Sequence, residues 1–312
     1  MKIVFLDAGT FYDSPNVSQM LSSLGDLVLY DYTSDAEIVA RICDAEIVIT
    51  NKVVLKDDTF AQCNRLKMIC VTATGMNNID LEAATQRGIV VKNASSYSTH
   101  SVAQTTLAMA LQLLIQLPSY QLFVQKKYSG HPFFTHLNPS FSEINGKTWG
   151  IIGLGNIGKQ VAKIVEAFGG KVVYHSPSGR NLDAGYPHLA LSKLLITSDI
   201  ISIHTPLNEF SRNLIGIEEL ELCKRTAILI NVARGGIVNE TALAQSIEKD
   251  EIAGAAVDVF AVEPILAYNP LLQVSKKKNL ILTPHIAWGS EEARQTLMEI
   301  TCRNIQEYMG SK

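Results

Sequence analysis

Three glycines in the segment WGIIGLGNIGKQVAKIVEAFG are spaced Gly-x-Gly-x-x-Gly between an apolar run and a helical pattern. In a strand–turn–helix unit, this spacing suits the pyrophosphate of a dinucleotide. Gly153 permits the tight turn, Gly155 lets the backbone approach the phosphates, and Gly158 lets helix and strand pack closely. The helix then offers its first N–H groups, at Asn156 and Ile157, to the anion. The segment predicts a site for NAD(H) or NADP(H); the alternative is a glycine-rich turn without a ligand.

The next strand ends in VVYHSPSGR, where an acidic residue usually binds the ribose hydroxyls of the dinucleotide. Ser176 stands at that position, so no carboxylate would repel a 2′-phosphate. Arg180 is close enough in the chain to pair with such a phosphate. The sequence therefore favours acceptance of NADP(H) and leaves the preference between the two cofactors open.

A single histidine, His285, follows a proline in the apolar segment LTPHIAW. Histidine titrates near neutral pH and serves either as an acid/base or as a hydrogen-bonded core residue. The segment alone leaves both interpretations open.

The composition is that of a globular chain of 312 residues, long enough for two domains. A net charge of −3 and a pI of about 6.2 argue against binding to nucleic acid or to acidic membranes. No apolar run has the length of a membrane span, and the N-terminus lacks the features of a signal peptide. The five scattered cysteines show no metal-binding spacing, so we expect free thiols, no metal site and a cytoplasmic location.

Two series of short apolar runs alternate with helical patterns, which is typical of parallel sheets covered on both faces. The first series consists of KIVFLD, LVLYD, AEIVIT, LKMICVT and IVVKN, which span residues 2–7, 27–31, 45–50, 66–72 and 89–93. The second begins at TWGIIGLGNIG and continues through KVVYHS, DIISIHTP, AILINVA, AGAAVDVF and LILTPHIA. The last helix, 290–309, has no strand after it, so we expect it to return to the first domain.

A nearly all-apolar helix is predicted over 100–117, ended by Pro118, and its composition indicates burial. The segment 118–147 that follows is long, irregular and rich in aromatic residues. It is either an arm that packs against another subunit or an ordinary surface loop.

The glycine motif is followed, in this order, by the segments NVARGGIVNE, DVFAVEP and TPHIAW. With these motifs, the chain resembles the D-isomer-specific 2-hydroxyacid dehydrogenases over essentially its whole length. Four further segments resemble the glycerate dehydrogenase (hydroxypyruvate reductase) branch: TNKVVL, VTATGMNNIDLEAA, SYSTHSVAQTT and HIAWGSEEARQTLM. The resemblance implies an α/β fold with two doubly wound parallel-sheet domains. A flavodoxin-like substrate domain, 1–98 plus 287–312, would be split by an inserted Rossmann domain, 99–286, with the active site in the cleft. It also implies a homodimer built through the Rossmann domains, consistent with an aromatic arm at 118–147.

The same resemblance assigns three catalytic residues for the reduction of a small 2-keto acid to a 2-hydroxy acid. His285 matches the family's acid/base, which donates a proton to the carbonyl oxygen as hydride arrives from the nicotinamide. Glu263 matches the carboxylate that orients the imidazole and favours its charged form. Arg234 would hold the substrate carboxylate by a forked pair of hydrogen bonds.

Further positions follow from the resemblance. Backbone amides of Thr74, Gly75 and Met76 should meet the substrate carboxylate. Lys52 either favours a hydroxylated substrate or is a solvated surface lysine. Trp288 either lines the substrate pocket or is a packing residue. The positions that match the lining of the nicotinamide and adenosine-ribose region are Thr105, Thr205, Val232 and Asp258. Asp258 would contact the carboxamide or serve a structural hydrogen-bonding role.

The family contains rival functions. Formate dehydrogenase has a glutamine where Glu263 stands, and phosphoglycerate dehydrogenases often carry extra domains. A reductase of glyoxylate or of another 2-keto acid would need the same contacts. A dinucleotide-sensing corepressor shares the fold, but the catalytic trio argues for an enzyme.

Overall fold

The computed structural model describes residues 1–11, 17–180, 182, 185–276 and 279–310. Its contacts divide the chain into two compact units. Unit 1 comprises Met1–Ser98 and Gly289–Lys312, and unit 2 comprises Thr99–Trp288. The chain leaves unit 2 after Trp288, whereas the sequence analysis placed this boundary after residue 286.

Unit 1 contains a five-stranded parallel sheet in the order β2-β1-β3-β4-β5. Its strands are β1 Lys2–Phe5, β2 Asp26–Leu29, β3 Ile47–Thr50, β4 Met68–Val71 and β5 Val90–Asn93. The inner strands β3 and β4 are buried along their whole length, which explains their unbroken apolar sequences. Each strand overlaps the apolar run that predicted it.

Unit 2 contains a six-stranded parallel sheet in the order β11-β10-β9-β8-β6-β7. Its strands are β6 Thr148–Ile152, β7 Lys171–His175, β8 Ile200–Ile203, β9 Ile228–Asn231, β10 Gly254–Val257 and β11 Leu280–Leu282. The predicted fold class, two parallel-sheet α/β domains, is therefore confirmed.

The α-helices, in chain order, are α1 Val17–Ser22, α2 Ile38–Ile42, α3 Asp57–Gln62, α4 Leu81–Gln86, α5 Thr99–Ile115, α6 Leu117–Phe123, α7 Asn156–Ala167, α8 Leu191–Thr197, α9 Ile217–Glu221, α10 Glu240–Glu248, α11 Pro270–Gln273 and α12 Glu291–Gly310. Helices α1–α4 and α12 belong to unit 1. Leu297 and Ile305 of α12 are fully buried, and Asn304 donates its side-chain N–H to the Asn93 carbonyl at 3.0 Å.

Helix α5 is apolar on most sides because it is a core element of unit 2. It packs against α7 and against strands β9, β10 and β11, and buries Val102, Met109 and Leu113. The helix ends at Ile115 because Gln116 adopts a left-handed conformation with φ of 56°. No single described helix is long and apolar enough to cross a membrane, although α5 and the stretch Leu117–Tyr128, bent by 49°, meet that test together.

The segment after α5 is more regular than predicted. Helix α6 begins at Leu117, with Pro118 in its first turn, and a π-helical turn continues it over Val124–Tyr128. Proline suits a first helical turn because its missing N–H has no helical partner there, so Pro118 lies at the start of α6. The predicted end of the preceding helix at Pro118 is corrected to Ile115, where the left-handed Gln116 ends α5. The stretch between Tyr128 and β6 is irregular.

Candidate active site

The predicted functional residues of unit 2 lie mostly where parallel strands end. The glycine motif follows β6, Ser176 follows β7, Thr205 follows β8, Arg234 follows β9, Asp258 follows β10 and His285 follows β11. The carboxyl ends of parallel strands share one edge of a sheet, which is where open α/β sheets bind ligands. The topology therefore gathers residues that are up to 132 positions apart, from Gly153 to His285, along one edge.

Each glycine of the motif occupies a different steric environment. Gly153 has a φ of 92°, and a Cβ atom there would lie 2.8 Å from the Thr205 nitrogen. A Cβ at Gly158 would lie 2.4 Å from the Gly153 carbonyl oxygen, so this glycine allows α7 to approach the turn. At Gly155, the residue before α7, a Cβ would meet nothing within 4 Å. The turn thus has open space at the position where a pyrophosphate would approach, and it fits a dinucleotide.

This difference predicts opposite effects for two alanine substitutions. Gly155→Ala should leave the melting temperature unchanged and raise the Kd for NADH by about tenfold or more, because its methyl group would enter the ligand's space. Gly158→Ala should lower the melting temperature, because its methyl group would overlap backbone. Calorimetric titration and thermal denaturation of both variants test the assignment. Unchanged affinity in Gly155→Ala would exclude a phosphate site at this turn.

The turn after β7 is closed by Ser176. Its hydroxyl donates to the Arg180 carbonyl, and the Gly179 N–H donates to the Ser176 carbonyl at 3.0 Å. Ser176 is buried, whereas the Arg180 side chain is exposed. His175 and His188 stack beside this turn, with ring centroids 5.9 Å apart. Ser176 therefore stabilises the turn, and the exposed side chain of Arg180 lies in the same turn.

His285 is not a core histidine. Its side chain is 22% exposed, and its Nδ1 atom lies 2.8 Å from Oε2 of Glu263, whose side chain is 32% exposed. The other carboxylate oxygen, Oε1, accepts the Phe260 N–H at 3.0 Å, which fixes the orientation of the carboxylate. A carboxylate acceptor at Nδ1 keeps a hydrogen on that nitrogen. The other ring nitrogen, Nε2, is then the one available for proton transfer. The described residues contribute no recorded hydrogen bond to Nε2.

The backbone of His285 is held in an uncommon conformation by Asp258. The φ of His285 is 53°, in the left-handed region that costs a non-glycine residue of order 1 kcal/mol or more. Asp258 is 0% exposed, and its carboxylate accepts the N–H groups of Ile286 at 2.8 Å and Ala287 at 2.9 Å and the Thr283 hydroxyl at 2.5 Å. Its carbonyl accepts the His285 N–H at 2.8 Å. These contacts favour the structural role for Asp258 that the sequence left open.

Arg234 lies in a turn that is fixed by Asn231. The Asn231 side chain donates to the Arg234 carbonyl at 3.0 Å and accepts the Ala233 N–H at 3.1 Å. Arg234 is partly buried, and its Nη1 donates to the Ala233 carbonyl at 2.7 Å. A Cβ at the next residue, Gly235, would lie 1.9 Å from the carbonyl carbon of Phe260. Only glycine lets the arginine turn pack against the loop that carries Glu263.

The remaining predicted residues of unit 2 differ in exposure. Thr105, on α5, is partly buried, whereas Thr205 and Val232 are buried. Val232 belongs to the hydrophobic core, and Trp288 packs against the same cluster. A packing role is thus observed for Trp288, and its contact with substrate stays a prediction.

The predicted substrate residues of unit 1 also follow strands of a parallel sheet. Lys52 follows β3 and is exposed, and the stretch Thr74–Met76 follows β4. Asn93, at the end of β5, donates its side-chain N–H to the Thr74 carbonyl at 2.7 Å. This bond fixes the loop whose amides were predicted to bind a carboxylate.

Sequence reasoning missed the residues that hold the site together. Besides Asn231 and Gly235, the Glu240 carboxylate accepts the Ala261 N–H and the Asn269 side chain, both at 2.6 Å. These contacts join segments separated by 21 and 29 residues, and no spacing rule predicts them. The paired glycines of ARGGIV were the available signal, because a second adjacent glycine indicates a close backbone approach.

The chain is similar to known proteins of one family. A family model described as D-isomer specific 2-hydroxyacid dehydrogenase, NAD binding domain, matches residues 107–287. The chain is 34% identical to a hydroxypyruvate reductase of Blautia hydrogenotrophica, covering 99% of this chain and 97% of that protein. It is 38% identical to a glycerate dehydrogenase of Methylorubrum extorquens, over 88% and 86% of the two chains. A solved NADPH-dependent glyoxylate/hydroxypyruvate reductase of Sinorhizobium meliloti, in complex with NADP and malonate, has a TM-score of 0.84 and 25% identity and covers 99% of this chain and 93% of its own.

Proposed function

The chain belongs to the D-isomer specific 2-hydroxyacid dehydrogenase family, and on this premise we propose that it is an NAD(P)-dependent hydroxypyruvate reductase, or glycerate dehydrogenase in the reverse direction. Members of the family are oxidoreductases of 2-hydroxy acids. The observation that carries the proposal is the hydrogen bond of 2.8 Å between His285 Nδ1 and Glu263 Oε2. Such a pair suits a reaction in which a carbonyl oxygen must be protonated.

In the proposed reaction, the protein residues bind the acid and move the proton. When bound, the reduced nicotinamide supplies a hydride for the carbonyl carbon. The protonated His285 donates its Nε2 proton to the carbonyl oxygen, which becomes the hydroxyl of the product. Glu263 holds Nδ1 and stabilises the imidazolium before transfer. Arg234 binds the substrate carboxylate through its guanidinium, and solvent reprotonates the partly exposed His285 ring.

The choice of substrate is supported by two relatives, whose names specify hydroxypyruvate and glycerate. A glyoxylate reductase is the alternative, because other relatives carry that name and the required contacts are the same. Hydroxypyruvate differs from glyoxylate in its terminal CH₂OH group, so a donor placed for that hydroxyl would discriminate between them.

We also propose that NADP(H) is accepted. Ser176 replaces the usual carboxylate, and the exposed Arg180 lies in the same turn. A guanidinium pairs well with a phosphate. The Arg180→Ala variant should therefore raise the KM for NADPH and leave the KM for NADH unchanged.

The first experiment is to measure NADPH and NADH oxidation by the purified protein with hydroxypyruvate and with glyoxylate. Turnover with hydroxypyruvate at a higher kcat/KM than with glyoxylate supports the proposed substrate. Absence of turnover with either acid would contradict the substrate assignment. A KM for NADPH far above that for NADH would contradict the proposed role of Ser176 and Arg180.

Finally, we propose that the chain forms a homodimer through the arm, residues 118–147. The large apolar side chains that the arm exposes include Phe134, which is 92% exposed. The others are Leu122, Val124, Tyr128, Phe133, Leu137 and Phe141. So many exposed large apolar side chains in one segment are typical of an interface. Light scattering should give twice the chain mass of 34.2 kDa, and Phe134→Asp with Leu137→Asp should give the monomer mass. A monomeric native protein would refute the proposal.

A further inference from the structure

His188 lies on a short extended segment that continues the sheet of unit 2 beyond its edge strand β7. The Tyr174 N–H donates to the Pro187 carbonyl at 3.0 Å, and the Leu189 N–H donates to the Tyr174 carbonyl at 2.8 Å. His188 is exposed, and no sequence motif singled it out. The backbone pairing therefore fixes an exposed imidazole beside the carboxyl end of β7.

The imidazole of His188 contacts the residue that stands where an acid usually binds the ribose. The Ser176 N–H donates to His188 Nε2 at 3.4 Å. Nε2 can accept this bond only while it carries no hydrogen, so the neutral ring has its hydrogen on Nδ1. Protonation of Nε2 ends the bond. It releases the Ser176 N–H and adds a positive charge next to it, and both changes favour an anion at this turn.

The surroundings of the two stacked histidines assign the charge to His188 rather than to His175. Burial lowers the pKa of His175, and His188 acts in the same direction, while the Leu189 carbonyl, 3.0 Å from His175 Nδ1, acts in the opposite one. His188 is exposed, so water can solvate its charged form. Its ring also packs against Tyr174, with centroids 5.1 Å apart.

Among the described residues, no ion pair neutralises a charge on His188. Helices α7 and α8 pack against β7, and their ionisable side chains are those of Lys159, Lys163, Glu166 and Lys193. None of these has a recorded hydrogen bond or ion pair with His188 in the described part of the chain, and Glu166 accepts the Tyr186 hydroxyl at 2.9 Å. Strand β6, on the other side of β7, has no ionisable side chain. Arg180 is the described charged residue of the turn itself.

We propose that His188 is a further specificity-determining residue for the cofactor, whose protonated ring binds the 2′-phosphate of NADP(H) together with Arg180 and the released Ser176 N–H. The inference rests on the proposed acceptance of NADP(H) and adds a dependence on pH. An arginine stays charged throughout, whereas a histidine changes its charge between about pH 5 and 8. The affinity for NADH, which has no 2′-phosphate, should not depend on this residue.

The experiment measures the Kd for NADH and for NADPH by fluorescence titration at about pH 6 and about pH 8, on the two sides of the histidine range. His188→Gln keeps an acceptor for the Ser176 N–H but cannot take up a proton. His188→Lys carries a charge at both pH values. The control is His100→Gln, at an exposed histidine of the same unit. The 2′-phosphate itself titrates near about pH 6, so the proteins are compared at equal pH.

We expect the ratio of the Kd for NADH to the Kd for NADPH to agree within about twofold between the native protein and His188→Gln at about pH 8. At about pH 6, the native ratio should exceed that of His188→Gln by about fivefold, the upper range for an exposed ion pair. His188→Lys should exceed His188→Gln by a similar factor at both pH values. His100→Gln should match the native protein throughout.

Two results would overturn the inference. One is an equal ratio for the native protein and His188→Gln at about pH 6, including the case in which both affinities fall together, as a purely structural role predicts. The other is a His188→Lys variant whose ratio does not exceed that of His188→Gln. Failure of the proposed NADP(H) acceptance looks different, because the native protein would then bind NADH but not NADPH at either pH.

Discussion

Replacing His285 with alanine is expected to lower kcat for 2-keto acid reduction by about 10²–10⁴-fold, the usual contribution of a general acid. The ring is the only group in the proposed reaction that supplies the proton, and it is held at Nδ1 by Glu263 at 2.8 Å. The Kd for NADH should stay within about twofold, because the glycine turn after β6 does not depend on this side chain. Steady-state rates with hydroxypyruvate and fluorescence titration with NADH measure the two quantities.

Two further variants make this test specific. Glu263→Gln keeps the shape of the side chain but removes its charge, so it should reduce kcat less than His285→Ala does. His100→Ala, at an exposed histidine of α5, should have normal activity. Normal turnover in His285→Ala would show that another group donates the proton.

Replacing Arg234 with alanine is expected to lower kcat/KM for the 2-keto acid by about 10²-fold or more. A hydrogen bond between charged groups contributes up to ~3 kcal/mol, and a forked guanidinium–carboxylate pair contains two such bonds. The loss should appear in both KM and kcat, since a misplaced carboxylate also misplaces the carbonyl group. Steady-state kinetics over a range of hydroxypyruvate concentrations provide the measurement.

The controls for Arg234 separate charge from geometry. Arg234→Lys keeps the charge without the fork and should recover only part of the activity. Arg225→Ala removes an exposed arginine of the same unit and should have native kinetics. A native KM and kcat in Arg234→Ala would remove this residue from the site.

Both variants probe side chains whose positions depend on buried neighbours. Asp258 fixes the left-handed backbone at His285, and Gly235 brings the arginine turn against the backbone of Phe260. Part of the predicted losses would therefore also follow from changes at Asp258 or Gly235, although neither residue was assigned to the proton or to the carboxylate. The candidate site therefore depends on these contacts as well as on the side chains predicted to be catalytic.

The sequence by itself determined the class of fold and the chemistry that its motifs support. Parallel strands that are buried on both faces consist mainly of apolar residues. The strands β3, β4 and β8 could therefore be predicted from the sequence alone. The glycine spacing was equally direct, because a Cβ at Gly153 or at Gly158 would overlap backbone atoms, whereas Gly155 leaves open space beside the turn. The roles of Arg234, Glu263 and His285 came from segments similar to those of a family, which carry chemistry as well as structure.

Only the tertiary structure decided which residues hold the predicted site residues in place. The bonds from Asp7 to the Lys52 loop and from Asp258 to the His285 loop connect chain segments 45 and 29 residues apart. Local spacing cannot encode them, because they depend on which strands become neighbours and where each strand ends. Helix α6 shows the same limit, since Pro118 is compatible both with the end of one helix and with the first turn of the next. The choice between those two outcomes depends on the left-handed turn at Gln116, a conformation that the sequence around it did not predict.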